Sequence, residues 1–309
     1  MSEKPSYIPE EFKYRVEEVA EGLSQEEAER EFSARRVENP NDPAVKEAQG
    51  LFENLFSHDE VDDLETLKKA MENKDEPYRL VAIEDENKKL IGAIAGADLR
   101  LRNEDGEPLN DRILYLTYLA MSEEYRKSGH GSVGMRWETF KTISDAVEHG
   151  EKVSGSIVEA ADKAETFYNR LNMNDGMRRL YYQNEQDQFV EVPYRQIPIH
   201  WDGKTGKPVS GAVAEHLMYV PLDRSANEIN GEDLLAVVRT MHYYNMREED
   251  DFETEKAYQK HEQAVEEYVE DFSEAVGGKT FRLIGKQERE EMMQQGRVFV
   301  ENKPGKVEK

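Results

Sequence analysis

The sequence predicts an α/β fold, with helices packed on a central sheet. Three observations carry that expectation. Segments of strand character alternate with segments whose apolar residues recur every three or four positions. The run Ile113-Leu-Tyr-Leu-Thr-Tyr-Leu-Ala-Met121 is nearly continuous in apolar residues, as a strand covered on both faces must be. A short polar turn carrying Arg126, Gly129 and Gly131 follows that run and leads into a helix.

Residues 1–31 are polar and Glu-rich, and Ser24 with Glu27 has the spacing of a capping box, so a helical N-terminal extension is expected there. Phe32–Val37 reads as the first strand. Asn41-Asp-Pro43 starts a helix, with a capping side chain and proline in the first turn. Val45, Ala48, Phe52, Leu55 and Phe56 follow at helical spacing, and a second short helix carries Leu64, Leu67 and Met71 before Pro77. Tyr78–Glu84 and Lys89–Ala95 form a strand pair joined by the turn Asp85–Lys88. Arg102–Pro108 is a turn-rich excursion ahead of the apolar run.

The helix after the glycine turn places Val133, Trp137, Phe140, Ile143 and Val147 on one face, and Gly150 suits its end. Val153–Val158 is a strand and Ala164–Leu171 a helix. From Tyr181 to Leu222 the pattern is irregular, broken by Pro193, Pro198 and Trp201-Asp-Gly203, and Glu215–Val220 reads as a closing strand. Beyond it lie an amphipathic helix, Leu234–Met246, and a long Glu-rich helix. The latter carries Tyr258, His261, Val265, Tyr268, Val269, Phe272 and Val276 on one stripe and ends at Gly277-Gly278. Phe281–Ile284 and Val298–Val300 read as short strands around a small helix. The boundaries expected are 1–31, 32–224, 225–301 and a disordered tail, 302–309.

Composition narrows the function. Of 309 residues 37% are hydrophobic, enough for a core, and 35% are charged. The net charge of −25 repels phosphates and argues against a nucleic-acid partner. An ordinary acidic surface and adaptation to a salty cytoplasm both fit it. With no cysteine there is no disulfide, no zinc-thiolate site and no thiol nucleophile. The first residues lack a basic segment followed by an apolar run, and no stretch approaches a membrane span, so a cytoplasmic protein without a membrane partner is expected. His58, His130, His149, His200, His216, His242 and His261 are scattered without metal-ligand spacing, and no metal is expected. The Gly-x-x-x-x-Gly-Lys-Ser/Thr motif is absent, which excludes a phosphate-loop NTPase.

The turn after the apolar strand offers the clearest chemistry. Backbone N–H groups at a helix N-terminus suit an anion, above all a phosphate, and glycines let the chain approach it closely. An ordinary strand-to-helix turn is the other reading of Gly129 and Gly131. The pattern Arg126-x-x-Gly129-x-Gly131 resembles the pyrophosphate-binding motif of the GNAT N-acetyltransferase superfamily. Ala164-Glu-Thr-Phe-Tyr-Asn-Arg-Leu-Asn-Met173 is similar to that family's fourth-helix segment, and the resemblance spans roughly Phe32 to Leu222.

The resemblance implies a mixed, mostly antiparallel central sheet flanked by helices, here with a mainly helical C-terminal appendage. It implies acetyl-CoA as co-substrate. Arg126, Lys127, Ser128, Gly129, His130, Gly131 and Ser132 would hold its pyrophosphate, and the main chain of Leu119 and Met121 its pantetheine arm. An amide near Leu119 would polarise the thioester carbonyl. His130 sits at the family's variable position, where bonding a phosphate and pointing to solvent are both open. Tyr168 matches the tyrosine that protonates the leaving thiolate, a role suited to a phenol of pKa ~10. Packing against the sheet is its other reading.

Many relatives carry a carboxylate base where this chain has Thr117 and Tyr118. Glu159 is the candidate base instead, against the readings of a solvated strand-end carboxylate or a water chain in its place. Ala161 replaces a frequent asparagine, and Asn172-Met173 a usual Gly-Phe. The expected function is acetyl-CoA-dependent N-acetylation of a small-molecule or peptide amine by direct attack, with a cationic acceptor favoured by the acidic surface. The alternatives are a non-catalytic acyl-CoA-binding or regulatory module, and a homodimer formed through the C-terminal apolar stripe.

Overall fold

The computed structural model describes residues 11–14, 31–56, 61–126, 128–160, 164, 165, 168, 176–198, 200–209, 216–223 and 226–301. The expected helix around Ser24 and Glu27, and the tail after residue 301, lie outside them. The fold is mixed α/β, a mostly antiparallel sheet flanked by helices. Among the described residues no helix is long and apolar enough to cross a membrane. The chain divides into two compact units, residues 1–98 with 114–153, and residues 99–113 with 154–309.

In the first unit, strands β1 (Glu11–Tyr14), β2 (Phe32–Val37), β3 (Tyr78–Glu84), β4 (Leu90–Arg102) and β5 (Pro108–Met121) follow one another in order across the sheet. Helix α1 (Pro43–Glu53) starts where the Asp42 carboxylate accepts the Ala44 N–H at 2.9 Å, with Pro43 in the first turn. Asp63 caps α2 (Leu64–Glu72) in the same way, through the amides of Glu65 and Thr66. Val45, Ala48 and Phe52 are buried as expected, whereas Leu55 is exposed because α1 ends at Glu53.

Helix α3 (His130–Glu148) departs from expectation in the face it buries. Trp137 is buried as expected, but Phe140 and Val147 are 49% and 51% exposed, while Gly131, Gly134, Met135, Glu138 and Thr142 are buried. Two contacts impose this rotation. Gly134 lies so near β3 and β4 that an added Cβ would stand 2.9 Å from the Ile83 and Ile94 methyls. Arg36 of β2 donates to both Glu138 carboxylate oxygens at 2.7 and 2.8 Å, to Thr142 Oγ1 at 2.9 Å, and to Asp145. The neighbouring Arg35 projects to the other face of the strand, where it joins Glu84 at 2.9 Å to the α1 cap Asp42 at 3.1 Å. Gly150, at φ 73°, closes α3 as the sequence indicates.

The second unit contains β6 (Lys152–Ala160), β7 (Arg178–Gln183), β8 (Phe189–Glu191), β9 (Trp201–Asp202), β10 (Lys207–Pro208), β11 (His216–Pro221), β12 (Glu228–Asn230), β13 (Thr280–Ile284) and β14 (Phe299–Val300). Its strands run β6-β11-β7-β13-β12, each antiparallel to the next. β8 pairs with β7 and with β14, and β9 pairs with β10 in a separate two-stranded sheet. The segment read as a closing strand, β11, is therefore interior: it pairs with β6 on one side and β7 on the other. In the region after residue 224 the expected short strand at Phe281–Ile284 is present as β13, which extends the sheet from β7.

Helices α4 (Gly231–Tyr244) and α5 (Glu255–Val276) pack together. The buried side of α5 is Ala257, His261, Val265, Val269, Phe272 and Val276. That stripe is covered within the chain, so the surface invoked for a homodimer is already used. Helix α6 (Lys286–Gln294) completes the unit. The tip of the β4–β5 excursion also belongs here, and the Arg102 N–H donates to Thr240 Oγ1 of α4 at 2.9 Å.

Candidate functional site

The loop between β5 and α3 is closed by its own hydrogen bonds. The Ser122 N–H donates to the Ile91 carbonyl at 2.9 Å as the strand ends, and residues Glu123–Tyr125 make one tight helical turn. Arg126 Nε donates to the Met121 carbonyl at 3.2 Å, and the Ser128 hydroxyl donates to the Tyr125 carbonyl. Gly129 then adopts φ 86°, the left-handed region that costs a side-chain-bearing residue most, and it is the cap of α3. Glycine supplies no capping side chain, and the first turn of α3 holds no acidic residue. The positive end of a 19-residue helix is thus presented with no side chain of the cap competing for its amides.

Gly131 brings that helix start against the end of β5. A Cβ there would stand 3.3 Å from Leu119 Cδ2 and 3.7 Å from the Met121 side chain. Leu119, Met121, Arg126, Ser128, Gly129, Gly131 and Ser132 therefore gather in one unit, with Arg126 exposed and Ser132 half-buried. Lys127 lies outside the described residues. These features fit a phosphate group: a glycine-opened helix N-terminus, no capping side chain, no acid in the first turn and an exposed guanidinium beside it.

His130 corrects the sequence reading. Its side chain does not point to solvent but is completely buried, its ring centroid 4.0 Å from that of Phe32 and 5.8 Å from that of Tyr125. Burial pushes its pKa down to about 4, so it is neutral near pH 7. It packs the loop onto β2.

The second unit carries the other two candidates. Tyr168 is helical and 7% exposed, and its carbonyl accepts the Met177 N–H at 3.0 Å. Glu165, three residues earlier and also helical, is buried between two guanidinium groups. Arg289 of α6 donates to both its carboxylate oxygens at 2.7 and 2.9 Å, and Arg179 of β7 donates at 2.8 Å. Burial pushes the Glu165 carboxyl up, but the Arg289 hydrogen bond and the two cationic charges outweigh it and hold the pKa below the ordinary value.

Glu159 is not a solvated strand end. It accepts the Tyr194 hydroxyl and, at 3.2 Å, the Gln196 amide. Tyr194 is itself buried, with ring centroids 5.8 Å from His242 and 6.2 Å from Phe272. Sequence reasoning missed Glu165, Arg179, Arg289 and Tyr194, because each gains its meaning from a partner distant in the chain. Positions 117 and 118 are structural. Thr117 Oγ1 donates to the Ala95 carbonyl and bonds the Tyr78 hydroxyl, and Tyr118 stacks on Phe52 at 4.8 Å. Among the described residues no three His, Asp or Glu side chains gather as a metal site.

No protein-family model and no curated protein matches the sequence. Solved structures to which the chain is similar include acetyltransferases. One is a putative acetyltransferase of the GNAT family from Bacteroides thetaiotaomicron, 14% identical over 69% of this chain and 99% of that one, with a TM-score of 0.41. Another is a GNAT-family acetyltransferase from Staphylococcus aureus, 16% identical over 62% and 99%, at 0.36. A third is an aminoglycoside acetyltransferase from an uncultured soil metagenomic sample, 20% identical over 46% and 87%, at 0.35. At these identities and TM-scores the likeness assigns no role to any residue of this chain.

Proposed function

We propose that this protein is a GNAT-type N-acetyltransferase that uses acetyl-CoA and acetylates an amine by direct attack. The observation that carries the reading is the opening of α3: left-handed Gly129, no capping side chain, and Gly131 against the end of β5. Amides of the first turn of α3, with Arg126 beside them, would hold the pyrophosphate, and the main chain near Leu119 and Met121 the pantetheine arm. When bound, acetyl-CoA supplies the acetyl group as an activated thioester.

The chain's own residues then have distinct tasks. Tyr168 holds a phenolic proton for the departing sulfur. Glu159 accepts the proton of the incoming ammonium, and Tyr194 and Gln196 orient its carboxylate. The net charge of −25 favours a cationic amine acceptor. One observation favours the second reading, a non-catalytic acyl-CoA-binding module: Thr117 and Tyr118 are engaged structurally and supply no base.

Calorimetric titration with acetyl-CoA, followed by thiol release in the presence of a panel of primary amines, separates the two. The wild type is expected to bind and turn over, Gly131→Trp to lose binding, and Tyr168→Phe to bind normally while kcat falls by about 100-fold. Binding without turnover against any amine would favour the module. No binding by the folded wild type would sink both.

A further inference from the structure

We infer that Arg289, in the C-terminal region, is a positioning residue for Tyr168, acting through Glu165. The inference rests on the transferase reading of Tyr168. Glu165 and Tyr168 are both helical residues, three apart, the spacing at which helical side chains are neighbours. Arg289 grips both oxygens of Glu165 at 2.7 and 2.9 Å and also donates to the Tyr181 hydroxyl at 3.2 Å. A two-pronged grip of this kind fixes the carboxylate in direction as well as distance.

Further ion pairs surround the grip. Arg179 lies 2.8 Å from Glu165, 3.6 Å from Glu191 and 3.8 Å from Glu301, and His216 Nδ1 lies 2.7 Å from Glu191. Within α6 the buried residue is Arg289, while Met292 packs, only partly buried, against the cluster of Tyr181, Phe189 and Ile284. The small helix is therefore seated more by its cation than by an apolar face of its own. A buried ion pair is a poor source of stability compared with apolar side chains of the same volume, because both charges must be desolvated. What it does supply is orientation, and Tyr168 lies three residues on from the gripped carboxylate.

The test is a double-mutant cycle on the full chain, reading kcat for thiol release, the acetyl-CoA Kd and the thermal midpoint. Arg289→Met is expected to lower kcat by about 10–100-fold with the Kd unchanged. In the Tyr168→Phe background the same substitution is expected to cost nothing further, a non-additivity that a general loss of structure would not produce. Should Arg289→Met fold poorly, Glu165→Met with Arg289→Met removes both partners of the grip, leaving Arg179 to Glu191 and Glu301, and is expected to show the same kcat loss. An unchanged kcat in either folded variant, or an additive loss in the Tyr168→Phe background, overturns the inference and leaves the transferase reading standing. So does full kcat in Tyr168→Phe. A wild type that releases no thiol removes both.

Discussion

Helices α3 and α5 bury their faces by opposite means. Helix α5 is seated by Val265, Val269, Phe272 and Val276, side chains that attract without direction and tolerate small slides. Helix α3 is seated by Gly131, Gly134, Glu138 and Thr142, with a glycine contact that sets its height above the sheet and an Arg36 fork that sets its rotation. An apolar seam brings a helix near, whereas a glycine and an ion pair together determine which way it faces. That distinction matters for α3 under the proposed function, in which its first turn presents its amides to a phosphate.

The largest expected effect is at the fork. Glu138→Leu leaves the Arg36 charge buried with only part of its partners, and should cost about 3–5 kcal/mol in denaturant unfolding. A cost under about 1 kcal/mol would break the contrast. Next comes pH, because each helix buries a histidine. Burial pushes His130 and His261 down to about 4, the latter helped by the Arg247 charge. Both folded values lie below the unfolded value, so the unfolded chain binds more protons between about pH 6.5 and 4, and stability falls as pH falls through that window. Thermal midpoints across it should flatten in His130→Leu by that residue's share, at most about 3 kcal/mol. An unaltered profile would mean His130 is protonated in the folded state.

Smaller effects sharpen the comparison. Phe272→Leu in α5 should cost less than about 1.5 kcal/mol, as an apolar seam that repacks allows. Phe140→Ser on α3 should change stability by no more than about 0.5 kcal/mol, since Phe140 is 49% exposed. A loss of several kcal/mol there would show that the apolar stripe of α3 is its packing face after all.

The features legible in the sequence are the local ones. Asp42, Asp63, Gly129 and Gly150 cap or turn the chain through contacts within a few residues, so the residue type announces the structure. The stripe of α5 is legible because its seam is made of apolar residues. The buried face of α3 is not. Glycine, glutamate and threonine do not register in an apolar period, and the partner of Glu138 is Arg36, 102 positions away. The burial of His130 is hidden for the same reason, since it depends on Phe32, far back in the chain. The grip on Glu165 comes from 124 positions downstream. The glycine turn before α3 is therefore readable, and the partners of Glu159 and Glu165 are not.

The interior position of β11 dictates when the molecule can be finished during translation. β6 and β7 precede β11 in the chain, yet β11 lies between them in the sheet, and the far side of β7 waits for β13 at Thr280–Ile284. A growing chain that stops short of residue 216 leaves open the edges of β6 and β7 that β11 will cover, the condition under which chains pair with the wrong partner. The first unit has all its strands once residue 153 has been made. The first unit can thus fold while the unit carrying Tyr168 still waits for β11 and β13, a long-range closure of the kind that folds slowly.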